Sequence, residues 1–439
     1  MFEALRNALK LPDLRRRILY TILILVIFRM ASNIPVPGVD RVALDAFFKS
    51  SAADATRPFL GLMDLLSGGA VSNFSILAAG VYPYVTATLV IQLLLPIFPK
   101  WEKRIQEEGE EGQRKMNQWS FYITVPLAGL QAFAQAQLFR QATIGMNPIL
   151  PHFGWEPANL LPTFTLLLSM IAGTMFAIWL GELISEQGIG NGLSLIIFGG
   201  IVSRVPANLK GIWSSDGLLG VIIFLVITVV TILFIVFIQN GERRIKVQYG
   251  KRVRGMKVYG GGSTYIPLKV NTAGMIPLIF AQSILAFPAV IAQFFMNSSN
   301  PRVQDISQGI ITFFGGKSPG YIPLYFAAVA GFTYFYTFVM VEQQKLPDML
   351  QKQGGFIPGV RPGQRTEEFI HGIYRRITLV DAVFLGLVAV LPLIMGLFMK
   401  SNQMIIQSSG LLIVVGTVME TMRQLESQLL MRNYEGFLR

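Results

Sequence analysis

Few side chains in this sequence have the types and spacing that catalysis or metal binding requires. The chain has no cysteine, which excludes disulfides, thiol catalysis and thiolate metal sites. Its two histidines, His152 and His371, lie far apart in the sequence, and we interpret both as loop residues rather than zinc ligands. The signature His-Glu-x-x-His does not occur. The sequence therefore predicts no enzyme activity, no cofactor and no metal site.

Two glycine-containing stretches imitate nucleotide-binding motifs without completing them. The Gly-Lys-Ser run at residues 316–318 has the end of a phosphate-binding loop, but Ile311 stands where that motif needs its first glycine. The three glycines within residues 188–192 have the spacing of a dinucleotide-binding turn, but no strand is predicted before them. We expect no nucleotide to bind at either place.

Charged residues inside the apolar stretches are scarce. The carboxylates there are Glu182, Asp381 and Glu420, each near the end of a stretch. A proton-coupled transporter usually carries acidic residues deep in the membrane, so this class is disfavoured and any energy for transport must come from outside the chain. Arg29 lies within the first apolar stretch. It is either a functional intramembrane charge or a residue that pairs or snorkels near the end of the span.

The composition places the chain in a membrane. Of its 439 residues, 52% are hydrophobic and only 14% are charged, and the mean hydropathy is +0.51. Soluble proteins average ~25% charged residues, so we interpret the chain as a polytopic membrane protein. The net charge of +12 invites a nucleic-acid interpretation. However, the basic residues fall in short connections between apolar spans, where they set the topology.

The hydropathy pattern predicts ten membrane spans. They cover residues 18–34, 74–98, 119–139, 160–181, 189–205, 217–239, 271–296, 320–341, 377–399 and 404–422. Alternate connections hold 27 of the 37 Lys and Arg residues, and the positive-inside rule makes that side cytoplasmic. Both termini are therefore expected on the cytoplasmic side, and we expect the basic N-terminal segment to be retained, because no small-residue cleavage site follows it.

Five spans in each half have a geometric consequence. An odd number of spans makes the second half start on the opposite side of the membrane from the first, so residues 1–210 and 211–439 are predicted to be inverted halves. A site or a path is expected at the interface of such halves. No clear residue-level similarity between the halves supports this prediction, which rests on the number of spans.

Residues 57–99 contain a short apolar piece followed by a full span. The short piece, residues 59–66, has Asp64 as its only charge and is ended by Ser67-Gly68-Gly69. As a helix its eight residues would reach ~12 Å, less than half of a ~30 Å hydrocarbon core. Broken helices of this kind often mark the working site of a transport protein. The alternative is an amphipathic helix on the outer surface.

Two cytoplasmic connections are too long to be simple turns. Residues 242–270 alternate basic and β-branched residues, which predicts a β-hairpin. Residues 342–376 are predicted to extend a helix, to break it at Gly354-Gly355 and to turn at two Pro-Gly pairs, residues 358–359 and 362–363. Their length indicates a docking surface for a partner, although each arginine taken singly also serves as a topology charge.

Six motifs make the chain similar to one known family over nearly its whole length. They lie at residues 28–40, 65–94, 107–120, 181–202, 263–284 and 354–366. In these stretches the chain resembles the SecY/Sec61 alpha family of protein-conducting channels. The resemblance implies an all-α polytopic membrane protein with ten transmembrane helices in two inverted five-helix halves around a central hourglass pore.

The resemblance also assigns a role to the broken helix. The segment at about residues 57–70 is similar to the family's plug, which closes the outer funnel of the pore. The plug residues would be Phe59, Leu60, Leu62, Met63, Leu65 and Leu66, and Ser67, Gly68 and Gly69 would be its hinge.

A ring of apolar side chains forms the constriction of the family's pore. Matching motifs assign this ring to Val81, Val85, Leu193, Ile197, Ile279 and Ile413. Apolar side chains let a polypeptide pass without hydrogen-bonding to it, and a narrow apolar constriction closes by dewetting. Packing between helices is the alternative role for each of these residues.

The family's channel opens sideways toward lipid, between spans two and three on one side and spans seven and eight on the other. Gln92, Asn191 and Asn271 are the polar candidates at this lateral gate, and ordinary hydrogen bonding between helices is the alternative. For docking a motor or a ribosome, the resemblance assigns Arg361. Weaker docking candidates are Arg243, Arg244, Lys251 and Arg252.

The function implied is a protein-conducting channel. It would pass unfolded secretory polypeptides across the bacterial inner membrane and release membrane-protein helices into lipid. Expected partners are the small membrane subunits SecE and SecG, the SecA motor ATPase, the ribosome, preprotein signal sequences and the lipid bilayer. A secondary transporter with a broken-helix site and an intramembrane enzyme are the competing classes. The first lacks midplane charges and the second lacks any catalytic pair.

Overall fold

The structure is a computed structural model in which helices dominate. It describes residues 11–49, 64, 67–95, 98, 101, 105, 108–141, 149–249, 252–254, 257–259, 262–274, 276–295, 300–314, 318–344, 346–398 and 407–437. The chain divides into two compact units. Unit 1 comprises Met1–Val221, Pro288–Gly315 and Ile413–Arg439, and unit 2 comprises Ile222–Phe287 and Gly316–Leu412. The inverted five-span halves stay a prediction.

The helices follow one another along the chain with few strands between them. In the first part they are α1 (Pro12–Ala31), α2 (Arg41–Lys49), α3 (Tyr82–Leu94), α4 (Glu110–Gln141), α5 (Leu160–Gln187) and α6 (Gly192–Gln239). In the second part they are α7 (Ile276–Phe294), α8 (Pro301–Thr312), α9 (Tyr321–Gln344), α10 (Leu346–Lys352), α11 (Gln364–Phe398) and α12 (Gln407–Phe437). Every predicted span overlaps one of these helices.

Helix α6 consists of two helical segments joined at a kink, and it covers two predicted spans. The chain breaks its helical conformation at Gly217, where φ is 66°. Among the described residues, four helical segments are long and apolar enough to cross a membrane: Leu160–Gln187, Gly192–Ser214, Gly217–Gln239 and Tyr321–Lys352. The complete set of ten spans stays a prediction.

The second predicted span differs most from its sequence pattern. Regular helix begins only at Tyr82, eight residues after the predicted start, and residues 67–81 form turns. Pro83 lies in the first turn of α3, where proline starts helices readily because its missing N–H is not needed there. Gly80, with φ at 57°, interrupts the backbone just before that start. Apolarity alone marked this stretch as a span, but these local signals decide where its helix begins.

Unit 1 has an apolar core around Phe74. The ring of Phe74 meets that of Phe139 on α4 edge to face, with centroids 4.7 Å apart, and both side chains are buried. The turns at residues 67–81 press closely on α5, because a Cβ placed on Gly173 would lie 2.0 Å from the backbone oxygen of Ile76. A glycine is therefore required where this non-helical backbone crosses α5.

Unit 2 contains the sheet that the first long connection predicts. Strands β1 (Glu242–Tyr249) and β4 (Ser263–Lys269) pair antiparallel, with Ile245 opposite Ile266. Strands β2 (Arg252–Arg254) and β3 (Lys257–Tyr259) lie between β1 and β4 in the sequence and pair with each other. Strand β5 (Gly355–Phe356) pairs with the edge of β1 that faces away from β4. The predicted hairpin is confirmed.

The second long connection also follows its sequence signals. Helix α10 ends at Lys352, and Gly354 takes a φ of 70°. Both Pro-Gly pairs form turns in which the glycine has positive φ, 85° at Gly359 and 101° at Gly363. An apolar cluster joins this connection to the sheet and to α9 and α11. It consists of Ile245, Val247, Leu268, Val341, Leu350, Ile357, Ile370 and Tyr374.

The close crossing at Gly173 predicts a stability difference between two glycine substitutions. Gly173→Ala places a methyl group against backbone that has no flexible end to give way, so we expect it to lower the free energy of unfolding by ~1–3 kcal/mol. Gly331→Ala in α9 is the matched control, since its Cβ would meet nothing within 4 Å. Thermal unfolding in detergent measures both. Equal melting temperatures for the two variants would contradict the close crossing.

Candidate functional site

A buried polar cluster surrounds Asp64 in unit 1. The backbone oxygen of Asp64 accepts hydrogen bonds from the backbone N–H of Gly69 at 2.7 Å and from the Ser67 hydroxyl at 3.3 Å. Residues 67–70 are all buried. Residues 67–70 are therefore hydrogen-bonded back to Asp64, and the polar backbone of this turn lies inside the protein.

The Asp64 carboxylate is held on several sides. The side chain is only 8% exposed. One carboxylate oxygen accepts the backbone N–H of Ser72 at 2.9 Å, and the other accepts the Ser72 hydroxyl at 2.8 Å. The same second oxygen pairs with the guanidinium of Arg204. A buried carboxylate is tolerated only when it is paired and hydrogen-bonded, and here both conditions are met.

Arg204, from α6, contacts other groups besides the Asp64 carboxylate. Its Nη2 donates to the backbone oxygen of Gly69 at 3.1 Å and to the Ser72 hydroxyl oxygen at 2.8 Å. The planar guanidinium presents several donors in a fixed fork, which suits one carboxylate and a neighbouring carbonyl together. One side chain on α6 therefore contacts three residues of the turn.

Arg29 completes the cluster from α1. Its Nη1 donates to the backbone oxygen of Gly68 at 2.9 Å. The sequence left two interpretations open for Arg29. This contact supports the one in which Arg29 pairs with another group of the protein. Two arginines from different helices thus satisfy consecutive carbonyl groups of the turn.

The two glycines of the predicted hinge let α6 approach the turn. A Cβ on Gly68 would lie 2.9 Å from the Cα of Gly200, and a Cβ on Gly69 would lie 2.6 Å from Nε of Arg204. Both glycines have positive φ, 69° and 93°, where residues with side chains are strained. The structure thus gives packing and backbone reasons for these glycines, and the hinge role stays a prediction.

The plug residues themselves lie outside the described part of the chain. These are Phe59, Leu60, Leu62, Met63, Leu65 and Leu66. Asp64 and the three hinge residues that follow are described, and they are the part of the predicted plug segment for which contacts are known.

The six candidates for the apolar ring are buried or half-buried. Ile279 on α7 belongs to unit 2, and the others belong to unit 1. Val81 immediately precedes α3 and is fully buried, and Val85 is half-buried one turn later. Ile197 on α6 and Ile413 on α12 are buried. Closure of a ring by these residues stays a prediction.

Leu193 has a close contact with another helix. A Cβ on Gly181 of α5 would lie 2.8 Å from a terminal carbon of the Leu193 side chain. This contact supports the alternative role of packing between helices for Leu193, since the side chain is already engaged by α5.

The three candidate polar residues of the lateral gate have different environments. Asn191, in unit 1, accepts the backbone N–H of Ser194 at 3.2 Å through its side-chain oxygen, which is the geometry of a helix N-cap for α6. Asn271, in unit 2, likewise accepts from the N–H of Gly274 at 2.6 Å. Its amide nitrogen is buried without a hydrogen-bond partner in the described structure. Gln92 lies half-buried on α3.

Three candidate docking residues, Arg243, Arg244 and Arg361, lie on the surface of unit 2. Arg361 is exposed between the two Pro-Gly turns, and its backbone oxygen accepts the Thr366 hydroxyl at 2.9 Å. Arg243 is exposed on β1, and its neighbour Arg244 pairs with Glu242 at 2.6 Å. Arg252 lies on β2, and Lys251 is outside the described residues.

Sequence reasoning missed the partner of Asp64. The pattern alone counts Arg204 as a charge of the adjoining outer connection, although it lies within a predicted span. A usable signal was present, because ionisable residues inside membrane segments tend to pair with each other. Asp64 is the only charge of its short apolar piece and Arg204 the only charge of span five.

Asp381, by contrast, is fully buried on α11, with no hydrogen-bond partner for either oxygen in the part of the chain that is described.

Comparison with known proteins gives the family. The SecY family model matches residues 75–422. The protein translocase subunit SecY of Halalkalibacterium halodurans is 39% identical over the full length of both chains. The protein of that name from Thermotoga maritima is 39% identical over 100% of this chain and 98% of its own. The chain belongs to the SecY family.

Solved structures share the fold. One concerns the plug domain of a SecY protein, which stabilises the closed state of the translocation channel and maintains a membrane seal. It matches with a TM-score of 0.59 and 17% identity over 94% of this chain and 92% of that one. Sec61 in the canine ribosome–channel complex matches with a TM-score of 0.58 and 16% identity over the same shares. These similarities concern the fold alone.

The hydrogen bond at Asn191 allows its two roles to be separated. Asn191→Ala removes the cap of α6 and should lower the free energy of unfolding by ~0.5–2 kcal/mol, whereas Asn191→Asp keeps a capping oxygen and should preserve stability. Thermal unfolding measures this difference. If both variants keep the wild-type melting temperature, Asn191 is not a structural cap.

Proposed function

We propose that this chain is the protein-conducting channel of a protein translocase. It passes unfolded secretory polypeptides across a membrane and releases membrane-protein helices sideways into lipid. The observation that carries the proposal is full-length similarity to protein translocase SecY subunits, together with helices long and apolar enough to cross a membrane. An external motor or the ribosome supplies the energy.

An apolar constriction suits this task. A translocating chain presents every kind of side chain in turn, so a polar site would bind some sequences and stall them. Buried aliphatic residues such as Val81, Ile197 and Ile413 offer weak, sequence-independent contact. When no polypeptide occupies the pore, a narrow apolar ring excludes water and ions by dewetting. Every residue of the ring proposed from the sequence is aliphatic.

A plug and a lateral gate complete the proposed channel. The segment that ends at Ser67-Gly68-Gly69 would close the outer funnel at rest. Gln92, Asn191 and Asn271 would lie at the gate through which signal sequences and membrane helices enter lipid. Polar contacts in a membrane contribute only ~0.6–2 kcal/mol each, which is compatible with a gate that opens during each cycle.

The exposed basic residues of unit 2 form the proposed docking surface. Arg243 and Arg361 extend their side chains into solvent, and both belong to connections that the charge bias assigns to the cytoplasm. Phosphates of ribosomal RNA attract such residues, and an acidic patch on the SecA motor would do so equally. We propose SecE and SecG as the small subunits, the bacterial inner membrane as the location, and cytoplasmic termini.

Reconstitution tests the proposed function directly. The purified chain with SecE and SecG in vesicles, supplied with SecA, ATP and an unfolded secretory preprotein, should move the preprotein into a protease-protected space. The control is the same preprotein without its signal sequence. Protection no greater than that of this control, in vesicles that contain correctly folded complex, would refute the proposal.

The docking surface predicts a charge-reversal effect. Arg361→Glu should slow SecA- or ribosome-driven translocation about tenfold, the effect of a loss of about 1.4 kcal/mol in a binding equilibrium, because it replaces an exposed attractive charge by a repulsive one. The rate of preprotein protection at limiting SecA measures it. Arg302→Glu, an equal charge change at an exposed position of α8, is the control. Equal rates for the two variants would remove Arg361 from the docking surface.

A further inference from the structure

The ion pair between Asp64 and Arg204 connects two elements with different proposed roles. Asp64 belongs to the proposed plug segment, whereas Arg204 belongs to α6, a helix of the proposed pore wall. The two residues are 140 positions apart in sequence and lie in the same unit. Their contact is thus a tertiary connection between a part that would move and a part that would stay.

Within the described part of the chain, the ion pair and hydrogen bonds of Arg204 reach Asp64 and the residues shortly after it. They comprise the Asp64 carboxylate, the Gly69 carbonyl at 3.1 Å and the Ser72 hydroxyl at 2.8 Å. Ser72 in turn donates to Asp64 from its N–H and its hydroxyl. The turn is therefore tied to itself by Ser72 and to α6 by one side chain. Loss of the Arg204 contacts would leave the hydrogen bonds of Ser72 and Arg29 to this turn in place while removing its ion pair with α6.

The glycine contacts show that the two elements are built to meet. Gly68 and Gly200 approach so closely that a Cβ on Gly200 would lie 2.1 Å from the Cα of Gly68. A side chain on either residue would separate the turn from α6. Gly69 similarly leaves the space through which the Arg204 side chain passes. Close backbone approach and the ion pair thus depend on each other.

We propose that Arg204 is an ionic latch that holds the Asp64–Ser72 turn against α6 in the closed channel and is released when the channel opens. This inference rests on the proposed plug role of the segment that ends at Ser67-Gly68-Gly69. The latch holds the turn at its contact with α6, so the strength of that contact determines how often the unoccupied channel opens and leaks ions. A translocating polypeptide opens the channel only when it supplies enough interaction to replace these contacts.

The two partners of the latch differ in their exposure to water. The Arg204 side chain is 31% exposed, whereas the Asp64 side chain is 8% exposed. Removing one partner of a buried pair leaves the other charge without compensation. Loss of the arginine should therefore act more strongly on the seated turn than loss of the carboxylate charge, because the buried carboxylate has little water to replace its partner.

Ion leakage through the unoccupied channel tests the latch. The complex in vesicles should leak about tenfold faster with Arg204→Ala than with the wild-type chain, which corresponds to about 1.4 kcal/mol in the closed–open equilibrium. Arg204→Lys keeps the charge but loses the guanidinium fork, and should leak at an intermediate rate. Lys210→Ala is the matched control, because it removes the same charge from an exposed position on α6 and should leave the leak unchanged.

The pairing itself is tested by a double substitution. If Asp64 and Arg204 act through each other, Asp64→Asn in combination with Arg204→Ala should leak no faster than Arg204→Ala alone. Leaks that multiply in the double variant would show that the two residues act independently and would overturn the latch. Thermal unfolding in detergent identifies a variant that fails to fold, and such a variant is replaced by the apolar pair Asp64→Leu with Arg204→Met. That pair lacks the latch without leaving a buried charge, so it should also leak, and a tight seal in it would overturn the proposal.

A cross-link tests the need for release. The chain has no cysteine, so Asp64→Cys with Arg204→Cys gives one defined thiol pair. Joining the two thiols with a short cleavable bis-maleimide should stop preprotein translocation, and cleavage should restore it. Continued translocation by the cross-linked complex would show that the turn need not leave α6, and would overturn the latch.

A deletion separates the latch from the plug role on which it rests. Removal of residues 59–66 should make the channel leak if the segment is a plug. A leak after this deletion, combined with wild-type tightness of Arg204→Ala, refutes the latch and leaves the plug in place. A tight seal after the deletion refutes the plug role, and the latch with it.

Discussion

Non-helical backbone inside a membrane protein must find all its hydrogen bonds within the protein, because hydrocarbon offers none. Residues 67–81 are such backbone, and the packing of unit 1 depends on how their polar groups are satisfied. A short antiparallel bridge pairs Pro35 with Ser75, and backbone N–H groups bond several carbonyls of the segment. Side chains serve two further carbonyls: Arg29 that of Gly68 and Arg204 that of Gly69. Long polar side chains from neighbouring helices thus replace the hydrogen bonds that a continuous helix would have made.

This solution explains why glycine and arginine occur together in the same place. The turn and α6 approach closely where Cβ atoms are absent, and Arg204 bonds the Gly69 carbonyl at this approach. Gly200 removes the Cβ on α6, and Gly68 and Gly69 remove it on the turn. The carboxylate of Asp64 then compensates one of the two guanidinium charges brought into this interior. Backbone shape, close packing and charge pairing are therefore consequences of a single constraint.

The parts of the fold that sequence reasoning predicted are those set by local chemistry. The β-hairpin after Glu242 and the glycine turns at Gly359 and Gly363 depend on residues a few positions apart, and all three formed. The start of α3 was placed too early, because residues 74–81 are apolar enough to belong to a span although their backbone is irregular. The pair of Asp64 and Arg204 was missed for a related reason. Its members become neighbours only through the packing of the turn against α6. Each is the only charge of its apolar segment, which is a signal that the two pair, but no pattern of nearby residues specifies the contact.

A channel that must both seal and open needs two kinds of interaction. Apolar contact of the kind proposed for the ring is non-directional and varies smoothly with displacement, so it gives a seal that accommodates many passing side chains but no sharply defined resting position. An ion pair with charge-assisted hydrogen bonds is directional and forms only over a narrow range of distances. The bonds of Arg204 to a carboxylate, a carbonyl and a hydroxyl are lost together once the turn moves away from α6. Contacts that break together favour two discrete states over a continuum of partly open ones, and a membrane barrier between translocation events requires such a closed state.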